Sequence, residues 1–255
     1  MKAKRIEILG VPVDVVNMSR ALDTVDAMLR ERSRRNAVIA VNPEKVMRAM
    51  VDGQLLAQIR SASLLIPDGI GVVFAARLLG LGRMERVPGS ELMPALCGLA
   101  ARKGYGIFML GASPEVNQCA ARKIQETYPG IRLAGRRDGF FRPEEIDGVI
   151  DQINASGADI LFLALGSPRQ EIWMQSHLPR LNVGVCQGVG GTFDVICGKV
   201  RRAPVIMRRL HLEWLYRLML QPGRFLRQTS LPRFVYLVMR EKLKGSGKNH
   251  DRGVD

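Results

Sequence analysis

Short apolar runs that end in a loop and a helix start recur along the chain, and this repeat constrains the fold more than any other feature. Three of the loops carry a polar residue followed by proline, at Asn42-Pro43, Ser113-Pro114 and Ser167-Pro168. A polar N-cap with proline in the first turn is typical of helix starts. The apolar runs lack alternation, as strands buried on both faces do. The pattern predicts a mainly parallel sheet with helices on both faces.

Six apolar runs are assigned to the sheet, at residues 37–41, 64–66, 106–110, 131–134, 160–165 and 183–186. The pattern changes near Lys199, where helical apolar runs become interleaved with arginines. We therefore divide the chain into a core at 1–198, a helical basic appendage at 199–244 and a disordered tail at 245–255.

Positive charge is concentrated in the appendage. The chain carries a net charge of +14, and its residues from Lys199 onward hold 14 Lys and Arg against 4 Asp and Glu. Such an excess favours an anionic partner, which could be nucleic acid, a membrane surface or a phosphorylated substrate. The alternative is a solvated helix face.

Several classes of protein are disfavoured by composition. The four cysteines have no CxxC spacing and the three histidines are scattered, which argues for reduced thiols in a cytosolic protein and against a zinc site. The longest apolar runs are far below the roughly 18 residues that a spanning helix needs, and no signal peptide is evident. We expect a protein that lies on a membrane surface at most.

Asp68 lies just after one of the predicted strands, in the turn Ile66-Pro67-Asp68-Gly69. In open α/β sheets, ligands bind at the carboxyl ends of the strands. A carboxylate there can act as a general base, or it can cap the following helix. The turn alone leaves both interpretations open.

A glycine-rich loop follows the last predicted strand, at Gly188-Val189-Gly190-Gly191-Thr192. Three glycines in four residues let a ligand approach the backbone closely. The loop is neither G-x-G-x-x-G nor a P-loop, so it does not support a dinucleotide or NTPase site. We also find no Asp-x-Asp pair for Mg²⁺, so a site here works without metal or uses arginines for charge.

Ordered blocks across nearly the whole chain resemble the WecG/TagA/CpsF glycosyltransferases of bacterial surface polysaccharide and teichoic acid synthesis. The blocks are Val41–Glu44, Pro67–Gly71, Arg86–Ser90, Leu110–Ala112, Leu165–Glu171, Gly188–Asp194, Arg202–Pro204 and Glu213–Arg217. One departure is Ala40, where family members often carry threonine, so a hydroxyl is absent there.

The resemblance implies an inverting, metal-independent transfer of a sugar from a UDP-sugar to a polyprenyl-diphosphate-linked sugar. It also implies a Rossmann-like core without cofactors, and an appendage that completes the site at the inner face of the cytoplasmic membrane. By this likeness Asp68 is the general base that takes the proton of the acceptor hydroxyl, and Arg86 helps at the site. The implied substrate-binding residues are Asn42, Gln170, Gly188, Gly190, Gly191, Asp194, Arg217, Arg224 and Arg227.

Two alternatives from other classes compete with a peripheral membrane enzyme. A nucleic-acid-binding protein would use the basic tail, but the chain has no RRM, KH or zinc-finger pattern. A lipid-surface scaffold would bind anionic vesicles without catalysis. A homo-oligomer is compatible with every interpretation, and we expect no nucleic acid partner for the enzyme.

Overall fold

A central six-stranded sheet organises the computed structural model, which describes residues 3–31, 35–200, 204, 207, 216 and 230–250, with side chains to 244. The antiparallel hairpin of β1 (Arg5–Ile8) and β2 (Val11–Asp14) comes first in the chain. The six sheet strands follow as β3 (Asn36–Val41), β4 (Leu64–Pro67), β5 (Gly106–Gly111), β6 (Arg132–Arg137), β7 (Ile160–Ala164) and β8 (Val185–Gly188). They lie side by side in the order β4-β3-β8-β7-β5-β6, and every neighbouring pair is parallel.

Helices cover both faces of this sheet. The described helices are α1 (Met18–Glu31), α2 (Pro43–Ala49), α3 (Gly53–Ser61), α4 (Ile70–Leu78), α5 (Gly89–Lys103), α6 (Pro114–Thr127), α7 (Ile146–Ala155), α8 (Arg169–His177), α9 (Thr192–Cys197) and α10 (Ser230–His250). One apolar core lies between the sheet and α2, α3, α4, α7, α8 and α10, and a second lies under α1, α5, α6 and α9. The predicted Rossmann-like α/β fold is confirmed.

Two of the three predicted helix caps form. The Asn42 side-chain oxygen accepts a hydrogen bond from the Lys45 backbone N–H at 2.8 Å, and Ser113 accepts from Val116 N–H at 3.3 Å. The prediction was wrong at Ser167, which follows the same sequence pattern. There the N-cap position of α8 is held by Pro168, whose side chain has no hydrogen-bond acceptor, and the Ser167–Pro168 peptide is cis.

The expectation of four reduced thiols was also wrong. A disulfide joins Cys119 on α6 to Cys197 at the end of α9, with their Cα atoms 5.4 Å apart, while Cys97 and Cys186 are free and buried. The two helices pack side by side across 78 residues of chain. No spacing rule detects such a pair, because the fold alone brings the two helices together.

Asp14 ties the N-terminal hairpin to the sheet. Its carboxylate accepts from the Arg5 guanidinium at 2.7 and 3.0 Å and from the Leu65 backbone N–H at 2.8 Å. Asp14 is 2% exposed. Asp14 stabilises this junction and is not among the predicted site residues, so it serves below as a control.

Helix α10 brings part of the predicted appendage onto the core. Phe234 and Val238 are buried in the apolar core that also holds α2 and α4. The helix continues to His250, beyond residue 244 where the sequence led us to end the appendage. The division of the chain at 198 stays a prediction.

Truncating Phe234 tests this docking. Phe234→Ala should lower the free energy of unfolding by about 3–5 kcal/mol, because it removes a fully buried aromatic ring from a packed core. Tyr236→Ala, on the exposed side of the same helix, should change it by less than about 0.5 kcal/mol. Denaturant unfolding of both variants measures the difference. Equal effects would mean that α10 does not pack as described.

Candidate active site

The described site residues meet at the carboxyl edge of the sheet, in a cavity of about 580 Å³. Because parallel strands all end at one edge, the loops after β3, β4, β7 and β8 converge there. The predicted residues that line the cavity are Asn42, Asp68, Arg86, Gln170, Gly188, Gly190, Gly191 and Asp194. Arg217, Arg224 and Arg227 lie outside the described residues, so their predicted roles stay predictions.

Asp68 is half-buried at the end of β4. Its backbone N–H donates to the Val41 carbonyl at 2.8 Å, which aligns the ends of β4 and β3. Gly69, not Asp68, occupies the N-cap position of α4, with φ of 120°. The carboxylate lies beside Gly89, where an added Cβ would be 3.9 Å from Asp68 Oδ2. The N-cap interpretation of Asp68 was therefore wrong, and its carboxylate lines the cavity.

Arg86 borders the cavity on the segment that leads into α5. Its side chain is 18% exposed, and its guanidinium lies 4.0 Å from the carboxylate of Glu91. A guanidinium held at the edge of a cavity is a permanent cation with several donors, suited to a phosphate or carboxylate.

The glycine-rich loop is held against α8. The backbone N–H of Gly190 donates to Gln170 Oε1 at 3.0 Å. Gly188 leaves room for that amide, because a Cβ at this position would lie 2.8 Å from Gln170 Nε2. Close approach of backbone and amide explains the glycine at 188. Gln170 itself is 5% exposed and lines the cavity.

Lys45 is the main site residue that sequence reasoning missed. It lines the cavity from the first turns of α2, and its ammonium forms an ion pair with Glu171 at 2.6 Å. The sequence gives no sign of this ion pair, because a contact across 126 residues leaves no mark in local spacing. Other cavity-lining residues that the sequence did not single out for the site are Arg48, Lys199, Ser230 and Leu231.

Glu171 is ionised in this environment. Burial alone would raise the pKa of its carboxyl, but the charge and hydrogen bond of Lys45, with hydrogen bonds from Gln170 and Ser167, outweigh it. The net pKa therefore lies below the ordinary value of a glutamate. The Glu171 carboxylate therefore keeps its negative charge through the neutral range.

The described residues also bear on metal binding, on membrane insertion and on a second cavity. Within them, no group of three or more His, Cys, Asp or Glu side chains could hold a metal ion. None of the helices they form combines the length and apolarity needed to cross a bilayer. A second cavity, of about 850 Å³, lies at the amino edge of the sheet beside Ala37 and Gly184, and none of the predicted site residues lines it.

A doubly covered parallel sheet with a polar cavity at its carboxyl edge defines an α/β protein of the ligand-binding class. The glycosyl transferase WecG/TagA/CpsF family model matches residues 6–248. The chain therefore belongs to this family and is a glycosyltransferase.

Similar proteins carry one shared description, N-acetylglucosaminyldiphosphoundecaprenol N-acetyl-beta-D-mannosaminyltransferase. The protein from Bacillus spizizenii is 36% identical over 85% of this chain and 83% of its own length. The Bacillus subtilis protein is 34% identical over 92% and 91%, and the Staphylococcus aureus MRSA252 protein is 33% identical over 94% of each chain. Membership of this family favours the enzyme over the nucleic-acid-binding alternative.

Proposed function

We propose that the chain transfers a sugar from a UDP-sugar to a hydroxyl of a polyprenyl-diphosphate-linked sugar, with inversion at the anomeric carbon. The observation that carries the proposal is the convergence of Asp68, Asn42, Arg86 and Gln170 on one cavity in a chain of this family. The relatives' names specify an N-acetylglucosaminyl-diphosphoundecaprenol acceptor. The corresponding acceptor is proposed for this chain.

The proposed step needs one base. Asp68 takes the proton of the acceptor hydroxyl as its oxygen attacks the anomeric carbon of the donor. The bond from that carbon to the diphosphate oxygen breaks, and UDP departs with the bonding electrons. A single aligned carboxylate suits such a direct displacement, and general-base assistance contributes about 10²–10⁴-fold.

The negative charge that develops on UDP needs fixed donors. Cationic side chains that line the cavity support this role, namely Arg48, Arg86 and Lys199. Arg217, Arg224 and Arg227 of the appendage are proposed to join them around the diphosphate. We propose that these cations replace a divalent metal, so activity should persist in EDTA.

The experiment that tests this function measures UDP release and labelled lipid product together. The donors are the UDP derivatives of N-acetylmannosamine, N-acetylmannosaminuronic acid, glucuronic acid and glucose, and the acceptor is a short-chain polyprenyl-diphosphate N-acetylglucosamine. Acceptor-dependent UDP release with any of these donors, in the presence of EDTA, supports the proposal. Lipid product that forms only after a divalent metal is added would contradict the metal-independent step.

A membrane surface is the proposed location, at the inner face of the cytoplasmic membrane where such lipids are reached. Apolar side chains are exposed along one side of α10, at Val235, Tyr236, Met239 and Leu243. Arg240, Lys242 and Lys244 lie on the same helix. An apolar stripe with flanking cations is typical of helices that lie in the lipid interface.

Vesicle binding tests this location. Replacing Tyr236, Met239 and Leu243 together by serine should weaken binding to anionic phospholipid vesicles by about 100-fold. Each apolar side chain that no longer enters the lipid interface reduces the binding free energy by about 1 kcal/mol. Phe140→Ser is the matched control, since Phe140 is equally exposed but follows β6 at the far edge of the sheet. Co-sedimentation of the two proteins gives the comparison. Equal vesicle binding by the two variants would mean that α10 does not contact the membrane.

A further inference from the structure

A buried ion pair lies under the proposed sugar-binding cavity and has no assigned role. Lys45 Nζ lies 2.6 Å from Glu171 Oε1, with side-chain exposures of 6% and 1%. Among the ion pairs of the described residues it is the most deeply buried. Removing two charges from water is costly, so a buried pair is weak evidence for stability. A role other than stability is therefore needed to explain why the Lys45–Glu171 pair is buried here.

The same carboxylate oxygen reaches a second side chain. Glu171 Oε1 accepts a hydrogen bond from Gln170 Nε2 at 3.0 Å, and Gln170 Oε1 accepts from the Gly190 N–H at 3.0 Å. A carboxylate can only accept and a backbone N–H can only donate. The two partners together determine which end of the Gln170 amide faces which neighbour.

Lys45 extends this chain of contacts to the loop after β3. Its backbone N–H donates to the Asn42 side-chain oxygen at 2.8 Å, while its ammonium holds Glu171. Asn42 and Gly190 lie in the loops after β3 and β8, and Gln170 lies in the first turn of α8, which follows β7. All three were predicted to bind substrate, and the Lys45–Glu171 pair links them.

We infer that Glu171 is a positioning residue, which acts through Lys45 and Gln170 to hold the segments after β3, β7 and β8 in register at the sugar-binding cavity. The inference rests on the proposed function for its effect on catalysis. Glu171 need not touch substrate. It orients the Gln170 amide, and it keeps the backbone of Gly190 at a constant distance from Asn42. Losing it should weaken sugar binding more than it slows the chemical step.

Glu171→Gln tests the inference, because glutamine keeps the shape but can donate as well as accept. The amide of Gln170 then loses one of the two partners that fix its orientation, and Lys45 loses its counter-charge. We expect KM for at least one sugar substrate to rise by about tenfold or more, with kcat within about threefold, as for lost ground-state binding. Asp14→Asn, which removes another buried ion-paired carboxylate, should leave both constants unchanged.

The double variant Lys45→Met/Glu171→Gln separates positioning from stability. This variant removes both charges, so its melting temperature should recover relative to that of Glu171→Gln. Its KM should stay raised, because the Gln170 amide still lacks its carboxylate partner. Recovery of KM together with the melting temperature would overturn the inference, since the pair would then be only structural. An unchanged KM in Glu171→Gln would overturn it as well.

Hydrogen exchange gives a readout that needs no turnover. Amide exchange in a peptide covering residues 188–194 should accelerate by about tenfold in Glu171→Gln and stay unchanged in Asp14→Asn, since Glu171 no longer holds in place the Gln170 oxygen that accepts from the Gly190 N–H. Unchanged exchange in Glu171→Gln would overturn the inference. Failure of the wild-type protein to transfer any sugar would count against the proposed function alone, and the exchange result would still decide the role of Glu171.

Discussion

Asp68→Asn should lower kcat by about 10²–10⁴-fold and change KM by less than about threefold, because asparagine keeps the shape of the side chain but cannot take a proton. Asp68 directly follows β4 and lines the cavity, and Gly69 rather than Asp68 is the N-cap of the following helix. The folded protein should keep its stability. Steady-state UDP release at saturating donor and acceptor measures kcat.

Asp52→Asn is the matched control for this substitution. Asp52 caps α3 by accepting a hydrogen bond from the Leu55 N–H at 3.0 Å, and it does not line the cavity. Asparagine caps helices as well as aspartate does, so both activity and stability should be close to wild type. A wild-type kcat in Asp68→Asn would contradict the role of Asp68 as the general base and leave it as a turn residue.

Gly111→Ala should lower the free energy of unfolding by about 3–5 kcal/mol. Gly111 ends β5 with φ of 118°, and an added Cβ would lie 2.5 Å from the backbone of Ala164 on β7. The cost combines a backbone conformation that alanine disfavours with overpacking against a neighbouring strand that cannot move aside. Denaturant unfolding measures it.

Gly130→Ala isolates the backbone part of that cost. Gly130 also has a positive φ, of 82°, but nothing lies within 4 Å of the position of its missing Cβ. Its substitution should cost about 1–2 kcal/mol. Equal destabilisation at the two positions would mean that β5 and β7 do not approach as closely at their ends as the fold requires.

The sequence was most informative where local chemistry decides local structure. Unalternated apolar runs predicted the buried strands, and the polar-proline pairs at Asn42 and Ser113 predicted true helix caps. In open α/β sheets, ligands bind at the carboxyl ends of the strands, and both Asp68 and the loop at Gly188 follow predicted strands. The two line one cavity, because the strands of a parallel sheet end together.

The failures share a physical cause. Ser167 looked like a third cap, but a pattern of residue types does not specify which residue starts the helix. The Cys119–Cys197 disulfide and the Lys45–Glu171 pair join residues far apart in the chain. Such contacts depend on how elements pack, which hydrophobic periodicity does not encode. The sequence therefore indicated which loops line the candidate site, but not the long-range contacts that support those loops.

The most direct test of the single-base account is the anomeric configuration of the transferred sugar. One-dimensional and heteronuclear NMR of the purified lipid-linked product, made from an α-linked UDP-sugar with EDTA present, gives that configuration. A direct displacement assisted by Asp68 predicts a β-linked product from wild type, formed about 10²–10⁴-fold more slowly by Asp68→Asn. An α-linked product would contradict the account, because retention requires a second displacement or attack from the departing face.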